Sequence, residues 1–339
     1  METNLPTRAF GRTGMQITRT GFGAWAIGGN MWGPQDDAES VAAIRHAVES
    51  GVNWIDTAAV YGNGHSEEVI AEALSCYGPA ERPFVFTKGG VIRDADGTNP
   101  RRQAADIRRQ CEASLKRLGV ERIDLYQLHW PSEDVSLEES WGEMLRLRDD
   151  GLAAHVGLSN HWVDQLKAAE AIGHVETLQP PFSMVKRTAG DTVLPWCADH
   201  GTGVICYSPM QAGLLTGTFT KERAAGLPQN DWRRENPEFR GQRLERNLAL
   251  AEALKPMAEK HGVSQGTIAL AWCLAWPGLT GAIVGARSPA QIDGWIAAAT
   301  LDLEESDKEA LASAIEGSGA GEGPVSAFKA TAQSESRGR

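Results

Sequence analysis

Short apolar runs alternate strictly with helical patterns along most of this chain. The runs are near-continuous, which is typical of parallel strands that are buried on both faces. They occupy residues 20–24, 51–55, 83–88, 123–128, 155–158, 175–178, 203–206 and 281–284, each followed by a helix or a helix-bearing insertion. Strict alternation predicts a parallel sheet, and eight units predict a closed eight-stranded (β/α)8 TIM barrel of the α/β class. An open doubly wound sheet is the alternative.

Further elements flank the predicted barrel. Residues 8–10 and 17–19 predict a short N-terminal hairpin, and residues 242–261 and 265–276 predict extra helices near the C-terminus, after a long polar loop over residues 218–241. We expect residues 1–316 to form a single barrel domain. Residues 317–339 form a low-complexity tail, either a flexible end or a strap.

One uncharged stretch has the length of a membrane span. Residues 267–286 contain no charged side chain, and about 20 apolar residues suffice to cross a bilayer. Pro277 and Gly278 interrupt the stretch, which therefore predicts a buried helix, a turn and a buried strand.

The first strand ends in a glycine pattern that resembles a dinucleotide-binding fingerprint. Residues 21–26 fit G-x-G-x-x-A. That fingerprint requires a helix to open at once, whereas Gly28, Gly29, Gly33 and Pro34 follow here. We interpret the segment as a loop and reject the Rossmann fold.

Composition excludes several classes of partner. The net charge is -11, which does not suit nucleic acid or an anionic membrane surface. The five cysteines are scattered without a C-x-x-C pair, as expected for reduced thiols in a cytoplasmic protein. Residues 1–10 are polar and hold no apolar signal core.

Polar side chains follow the predicted strands where each one ends. Because the active site of such a barrel lies at the carboxyl ends of its strands, these side chains are expected on one rim. They are Asp56 and Tyr61, Lys88, His129, Ser159 with Asn160, Gln179, Tyr207, and residues 285–288. A strand, a loop and a turn tyrosine would explain Asp56 and Tyr61 alone, but not the whole set.

Four of these residues suit acid–base chemistry. A free tyrosine has a pKa near ~10, and a nearby ammonium such as that of Lys88 is expected to lower the pKa of Tyr61. A buried lysine needs a carboxylate partner, and Asp56 fits. His129 can orient the same substrate oxygen. The set predicts a proton donor aimed at an oxygen that becomes an alkoxide, as when a carbonyl receives hydride. Metal binding is disfavoured because His129 has no second histidine at ligand spacing.

Taken together, these motifs resemble the aldo-keto reductase family, from Arg8 to about Ile315, and look closest to bacterial members related to general-stress and inositol-linked reductases. The matches are Ile-Asp-Thr-Ala-x-x-Tyr-Gly at 55–62, Phe-Thr-Lys ending at Lys88, Gln-Leu-His ending at His129, Gly-Leu-Ser-Asn ending at Asn160, Gln179, Tyr-Ser-Pro at 207–209, Gly-Leu-Leu at 213–215 and Gly-Ala-Arg at 285–287. The resemblance implies a barrel that reduces aldehydes or ketones with NADPH. Tyr61 would be the general acid, Lys88 and Asp56 would tune it, and His129 would orient the carbonyl.

The resemblance also implies the cofactor site. Ser159, Asn160 and Gln179 would bind the carboxamide, and Tyr207 would stack on the nicotinamide, leaving the other face to the substrate. Arg287 and Ser288 would meet the 2′-phosphate, which favours NADP(H) over NAD(H). The remaining implied contacts are Gly23, Ala24, Trp25, Asp56, Ser208, Pro209, Met210, Gln211, Gly213, Leu214, Gly285, Ala286 and Gln291. Gly294-Trp295 stands where many members carry Glu-Asn at the adenine.

The substrate is expected to be a small-molecule carbonyl. Trp25, Trp32, Trp130 and Trp232 could form an apolar mouth for an aromatic or multi-ring carbonyl, or could simply pack the loops. With Arg287 assigned to the cofactor, no basic cluster near the rim favours a phosphorylated substrate.

Other functions stay open. The chemistry is reversible, so the protein could act as an alcohol or sugar dehydrogenase. A cofactor-binding regulatory subunit resembling potassium-channel β subunits is an alternative, and a barrel isomerase or lyase is a third. The oligomeric state is not readable from the sequence.

Overall fold

The computed structural model describes residues 5–29, 31–33, 35–93, 100–101, 106–132 and 135–327. Its strands are β1 Thr7–Ala9, β2 Gln16–Thr18, β3 Thr20–Gly23, β4 Trp54–Asp56, β5 Phe84–Gly89, β6 Ile92–Arg93, β7 Pro100–Arg101, β8 Ile123–Leu128, β9 Ala153–Ser159, β10 Thr177–Gln179, β11 Gly203–Cys206 and β12 Gly281–Gly285. Its α-helices are α1 Asp37–Glu49, α2 His65–Leu74, α3 Ile107–Leu118, α4 Leu137–Asp149, α5 Val163–Ile172, α6 Ala189–His200, α7 Lys221–Ala225, α8 Gly241–Ala253, α9 Lys255–His261, α10 Gln265–Leu274, α11 Pro289–Asp293 and α12 Glu305–Ser318.

Eight parallel strands close into a barrel, as the alternation predicts. The order around the barrel is β3, β4, β5, β8, β9, β10, β11 and β12, and β12 pairs with β3 to close the ring. The register places Gly285, Gly23 and Asp56 side by side on adjacent strands. Polar residues that follow these strands therefore meet at one rim.

The N-terminal hairpin closes the opposite end of the barrel. β1 and β2 pair antiparallel, with Arg8 opposite Ile17, as predicted. Phe10 is fully buried, and its ring stacks 5.8 Å from that of Phe86 inside the barrel. Trp54 stacks on the same ring at 5.4 Å and donates from Nε1 to the Thr18 carbonyl oxygen at 2.8 Å. Access to the barrel is therefore left to the carboxyl ends of the strands.

Helix starts follow the capping residues in the sequence. Asp36 accepts from the Glu39 amide before α1, and Ser136 accepts from the Glu139 amide before α4, each satisfying an amide that lacks a helical partner. Both helices therefore begin where the sequence carries a capping residue. The uncharged stretch 267–286 also folds as predicted, with most of its helix in α10, then a turn, and β12. Among the described residues, every helix is too short or too polar to cross a bilayer.

Two predictions for residues 218–261 were wrong in detail. The predicted helix over 242–261 is two helices, because Pro256 near the start of α9 lacks the N–H of a continuous helix and the chain breaks at Leu254. The predicted polar loop over 218–241 contains α7 and two 3₁₀ turns, Trp232–Arg234 and Pro237–Phe239. These elements pack around a small apolar cluster formed by Leu214, Phe219, Leu227, Phe239 and Leu244.

The described start of the tail lies along the loop that follows β10. Arg187 is 4% exposed and donates to the carbonyl oxygens of Ala320 at 3.1 Å and Gly323 at 3.2 Å. The Glu322 amide donates to the Val185 carbonyl oxygen at 3.1 Å. This part of the tail is therefore bound to the barrel, and residues 328–339 lie outside the described part of the chain.

Candidate active site

A cavity of about 580 Å³ opens at the carboxyl ends of the barrel strands. Most residues predicted for the site line it. They are Gly23, Ala24, Trp25, Trp32, Asp56, Tyr61, His129, Trp130, Ser159, Asn160, Gln179, Tyr207, Ser208, Pro209, Met210, Gly213, Gly285, Ala286, Arg287 and Gln291. The fold thus brings together residues separated by up to 268 positions in the chain.

Five predicted residues do not line this cavity. Lys88 is 1% exposed and lies behind Asp56. Leu214 is fully buried in the cluster under the 218–241 segment, and Trp232 packs against Phe239. Gln211 accepts from the Ser183 hydroxyl at 3.1 Å, and Ser288 directly precedes α11.

Several lining residues were missed by the sequence reasoning. They are Ala26, Met31, Val60, Val91, Ala212, Arg223, Arg233, Ile283 and Val284. Arg223 and Arg233 lie in the 218–241 segment, whose path over the rim no sequence pattern indicates. The premise that Arg287 stands alone as a basic residue near the rim was therefore wrong, since three guanidinium groups line the cavity.

A buried ion pair lies at the base of the cavity. Lys88 Nζ donates to Asp56 Oδ1 at 2.6 Å and to the Thr57 carbonyl oxygen at 2.8 Å. Gln179 Nε2 donates to the other carboxylate oxygen, Asp56 Oδ2, at 2.8 Å. Burial raises the pKa of Asp56 and lowers that of Lys88, and their mutual attraction opposes both shifts. Neither charge would be stable at this depth without the other.

Tyr61 reaches this pair from a tight 3₁₀ turn, Tyr61–Gly64. Gly62 has φ +60°, and a Cβ there would lie 2.3 Å from the Gly28 carbonyl oxygen, so the turn rests directly on the loop after β3. Lys88 Nζ lies 5.3 Å from the centre of the Tyr61 ring, and the His129 ring packs edge-on at 5.8 Å.

The expectation that Lys88 lowers the pKa of Tyr61 was wrong for this arrangement. Burial raises the pKa of Tyr61 well above its ordinary value, and the neighbouring Asp56 and Tyr207 side chains raise it further. The Lys88 ammonium is bound to Asp56, so its field at the phenol is largely cancelled. Tyr61 is therefore a neutral phenol at physiological pH, which is the form that can donate a proton.

An amide and hydroxyl network covers the next part of the rim. Tyr207 Oη donates to Asn160 Oδ1 at 2.8 Å, and Asn160 Nδ2 donates to Ser159 Oγ at 3.0 Å. Ser159 Oγ donates to the Gln179 carbonyl oxygen at 3.0 Å. The predicted carboxamide-binding residues and the predicted stacking ring thus form one connected group.

Residues with left-handed backbone angles concentrate around the cavity. Asn160 has φ 63°, Ser208 has φ 56° and Ala212 has φ 51°. Such conformations are costly for residues other than glycine and occur mainly at functional sites. Ser208 and Ala212 both lie in the 208–213 loop, which lines the cavity.

Three of the four predicted tryptophans form one aromatic cluster. The ring centres of Trp25 and Trp32 are 5.1 Å apart, and Trp232 lies 5.4 Å from Trp25 and 5.7 Å from Trp32. Trp25 also lies 6.2 Å from Tyr61. Trp130 is separate, being 40% exposed and stacked on His129 at 6.3 Å. One wall of the cavity beside Tyr61 is therefore aromatic and largely preformed.

Arg287 is positioned by the loop that precedes α1. It donates from Nε to Gln35 Oε1 and from Nη1 to the Trp32 carbonyl oxygen at 3.2 Å. The Arg287 amide donates to Gln291 Oε1 at 2.9 Å. Trp295 is 3% exposed in the core, and Gly294 accepts from Ser264 at its carbonyl oxygen, so neither residue lines this cavity.

The described residues hold no grouping of three or more His, Cys, Asp or Glu side chains placed to bind a metal ion. The arrangement is instead an acid–base cluster beside an aromatic wall, with cationic groups along the same cavity. An α/β-barrel enzyme with this rim can bind an elongated ligand and move a proton at its inner end.

Comparisons with known proteins assign the chain to a family. The model described as the Aldo/keto reductase family matches residues 19–316. "Aldo-keto reductase YhdN" of Bacillus subtilis (strain 168) is 35% identical over 300 residues, which cover 86% of this chain and 89% of that protein. "NADH-specific methylglyoxal reductase" of Escherichia coli (strain K12) is 30% identical over 314 residues, which cover 88% and 94%.

Solved structures agree with this assignment. The glycerol dehydrogenase AKR11B4 from Gluconobacter oxydans superposes with a TM-score of 0.84 at 33% identity, covering 97% of this chain and all of that one. An aldo/keto reductase from Klebsiella pneumoniae, solved in complex with NADP and acetate, gives 0.70 at 26% identity, covering 91% and 94%. The chain belongs to the aldo/keto reductase family, and it is an oxidoreductase.

Proposed function

We propose that this protein reduces an aldehyde or ketone to an alcohol with hydride from NADPH, and that Tyr61 is the proton donor. The observation that carries the proposal is the neutral Tyr61 phenol held beside the buried Lys88–Asp56 pair, 5.3 Å from ring centre to Nζ. When bound, the nicotinamide supplies the hydride that goes to the carbonyl carbon.

The chain's own residues deliver the proton. Tyr61 Oη donates to the carbonyl oxygen and loses its proton as that oxygen gains negative charge, so the alcohol is released neutral. His129, edge-on to Tyr61, orients the same oxygen. The tyrosinate that remains lies beside the Lys88 ammonium, whose charge is largely compensated by Asp56, and it regains its proton from solvent.

The cavity fits a nicotinamide dinucleotide. One end holds the amide network of Ser159, Asn160 and Gln179, which suits a carboxamide, and the ring of Tyr207, which suits a flat heterocycle. The left-handed 208–213 loop is the kind of backbone that binds phosphate oxygens. Residues of both chemical types therefore line one cavity, which supports a dinucleotide as its ligand.

The cationic groups of the cavity favour NADPH over NADH. Arg223, Arg233 and Arg287 line it, and a guanidinium suits a phosphate dianion. The Klebsiella pneumoniae structure holds NADP, which supports this preference, whereas the Escherichia coli relative is named for NADH. We assign the 2′-phosphate contact to Arg287, with Ser288 beside it.

The substrate class follows from the wall beside Tyr61. Trp25 and Trp32, backed by Trp232, offer an aromatic surface, which suits an aryl aldehyde or a cyclic ketone. The reverse reaction, oxidation of an alcohol, uses the same groups, and the Gluconobacter oxydans neighbour is named a glycerol dehydrogenase. The protein is proposed to act in the cytoplasm.

The deciding experiment measures NADPH consumption with a panel of small aldehydes, aldoses, aryl aldehydes and cyclic ketones. Tyr61→Phe is expected to lower kcat by about 10²–10⁴-fold, the usual contribution of a general acid, while the NADPH Kd from fluorescence stays unchanged. Tyr77→Phe, the same change outside the cavity, is the control and should match wild type. Undiminished turnover in Tyr61→Phe would remove the proton-donor role. Tight NADPH binding with no turnover on any carbonyl would contradict the reductase.

A further inference from the structure

We infer that Glu67, together with Thr87 and Arg117, positions Tyr61 against the Lys88–Asp56 pair. None of the three lines the cavity, so they are positioning residues that act through their neighbours. The inference rests on the proposed function, in which the distance between Tyr61 and that pair governs proton transfer.

Glu67 places a carboxylate on the buried face of α2, and such a face normally carries apolar side chains. It lies in the first turn of α2 and is fully buried. Thr87 Oγ1 donates to Glu67 Oε1 at 2.6 Å, and Thr87 directly precedes Lys88 on β5. Burying a carboxylate this deeply costs free energy unless both of its oxygens accept hydrogen bonds. Glu67 therefore requires a donor at each oxygen.

The second oxygen of Glu67 links α2 to α3 and to the Tyr61 turn. Arg117 Nε donates to Glu67 Oε2 at 2.6 Å. The Arg117 side chain lies directly against Gly64, where a Cβ would be 2.6 Å from its Cδ and Nε atoms. Gly64 has φ +102° and ends the turn that begins with Tyr61. Arg117 therefore supports the turn from behind.

The neighbouring residue fixes the same helix turn to β4. Ser66 is fully buried, and its Oγ lies 2.9 Å from Thr57 Oγ1. Ser66 Oγ also donates to the Ala24 carbonyl oxygen at 3.0 Å. Thr57 directly follows Asp56, just as Thr87 directly precedes Lys88. The first turn of α2 thus binds the chain on both sides of the ion pair.

This arrangement has an electrostatic component as well. The negative charge of Glu67 raises the pKa of Lys88 and so opposes the larger effect of burial, which lowers it. Loss of the Glu67 contacts would leave Thr87 and Arg117 without their acceptor and free the turn to shift. Misplacement by 1 Å of a group in the reacting geometry can cost about 10²-fold in rate.

The test separates the hydroxyl of Thr87 from its shape. Thr87→Val keeps the shape and removes the donor, whereas Thr87→Ser keeps the donor and removes a methyl group. We expect Thr87→Val to lower kcat by about 10–100-fold, while Thr87→Ser retains wild-type kcat. KM and the NADPH Kd should stay at wild-type values in both variants, because Thr87 does not line the cavity. Wild-type kcat in Thr87→Val, or a larger loss in Thr87→Ser, would overturn the inference in favour of simple packing.

Glu67→Gln provides a second arm that does not depend on Thr87. It keeps an acceptor for Thr87 and removes the charge that binds Arg117, so kcat should again fall with the NADPH Kd unchanged. If Thr87→Val is poorly folded, unchanged kcat in Glu67→Gln would by itself refute the positioning role. If wild type turns over and Tyr61→Phe does not, the proposed function stands and these variants test only the inference. Absence of turnover in wild type would instead contradict the function itself.

Discussion

At the scale of single residues, the site depends on buried charges that are stable only as an ion pair. Lys88 and Asp56 have side-chain exposures of 0% and 4%, so each is tolerated because the other lies 2.6 Å away. Burial is the main reason that Tyr61 keeps its proton, and the pairing leaves little net positive charge to favour tyrosinate. Tyr61 is thus in the neutral form that the proposed proton donation requires.

Arg287 gives a prediction that belongs to this scale. Arg287→Ala is expected to weaken NADPH by about 10–100-fold, because hydrogen bonds to charged groups contribute about 1.5–3 kcal/mol. NADH should weaken far less, because it lacks the 2′-phosphate. Kd values for both cofactors from fluorescence titration provide the comparison.

The two cofactors serve as each other's control in that experiment. Arg287 also holds Gln35 and the Trp32 carbonyl oxygen, so general damage to the loop would affect both cofactors alike. Equal losses for NADPH and NADH would therefore contradict the 2′-phosphate role.

The identities of most site residues could be predicted from the sequence, but their electrostatics could not. Asp56, Lys88 and His129 follow apolar runs directly, so the barrel topology is enough to bring them together. The pKa of Tyr61 depends first on the burial of its phenol and then on where Asp56 and Tyr207 lie around it, and no sequence spacing indicates either. Arg223 and Arg233 were missed for a similar reason, since their segment has no regular apolar period to fix its path.

At the scale of elements, the 218–241 segment closes one side of the cavity. The Trp232 amide donates to the Met31 carbonyl oxygen at 3.2 Å, and the Arg233 guanidinium lies 4.9 Å from the Trp32 ring centre. Asp231 is 2% exposed and accepts from Arg233 Nη2 at 2.6 Å. The segment therefore bridges from the β11 side of the rim to the loop after β3, across the end of β12.

Removing Asp231 is expected to release this bridge. Asp231→Ala leaves a largely buried Arg233 without its carboxylate, and breaking a buried pair typically costs about 3–5 kcal/mol. Because the loss falls on one segment, we expect at least about tenfold faster tryptic cleavage after Arg223, Arg233 or Arg234, with the barrel intact by circular dichroism. The NADPH Kd should rise in parallel, since Arg223 and Arg233 line the cavity.

Lys221→Ala is the matched control for the same segment. Its partner Glu245 lies 2.8 Å away, but both side chains are about 60% exposed, at 60% and 59%. Exposed pairs contribute about 0–1 kcal/mol, so cleavage and affinity should match wild type. Similar cleavage rates for the two variants would show that the Asp231–Arg233 contact does not hold the segment.

The presence of most helices and strands was predictable from the sequence, whereas the residues at which they begin and end were less so. Capping residues mark the starts of α1 and α4, because a side chain that satisfies a free amide acts locally. The break at Leu254 was missed because the apolar spacing of residues 244–258 continues through it. The order within 218–241 comes from long-range packing of Phe219 and Phe239, whose rings meet edge-on at 5.4 Å.

At the scale of the whole molecule, the two ends of the barrel have separate tasks. The hairpin and the rings of Trp54 and Phe86 fill the amino-terminal end, and the cavity with its ion pair lies at the carboxyl end. Such a division allows the core to be optimised for packing while buried charges are kept for chemistry. A change at the closed end should therefore alter stability without altering the candidate active site.

Phe10→Ala tests this separation. Phe10 is fully buried and stacks on Phe86 inside the barrel, and Phe-to-Ala changes in cores typically cost about 3–5 kcal/mol. We expect a lower Tm and earlier urea unfolding, with NADPH Kd and kcat unchanged at temperatures where the variant is folded. Thr7→Ala, on the same hairpin but exposed, should stay within about 0.5 kcal/mol of wild type. An unchanged Tm for Phe10→Ala would mean that the hairpin merely covers the barrel. A loss of NADPH affinity that accompanies the lower Tm would mean that the two ends are coupled through the shared strands.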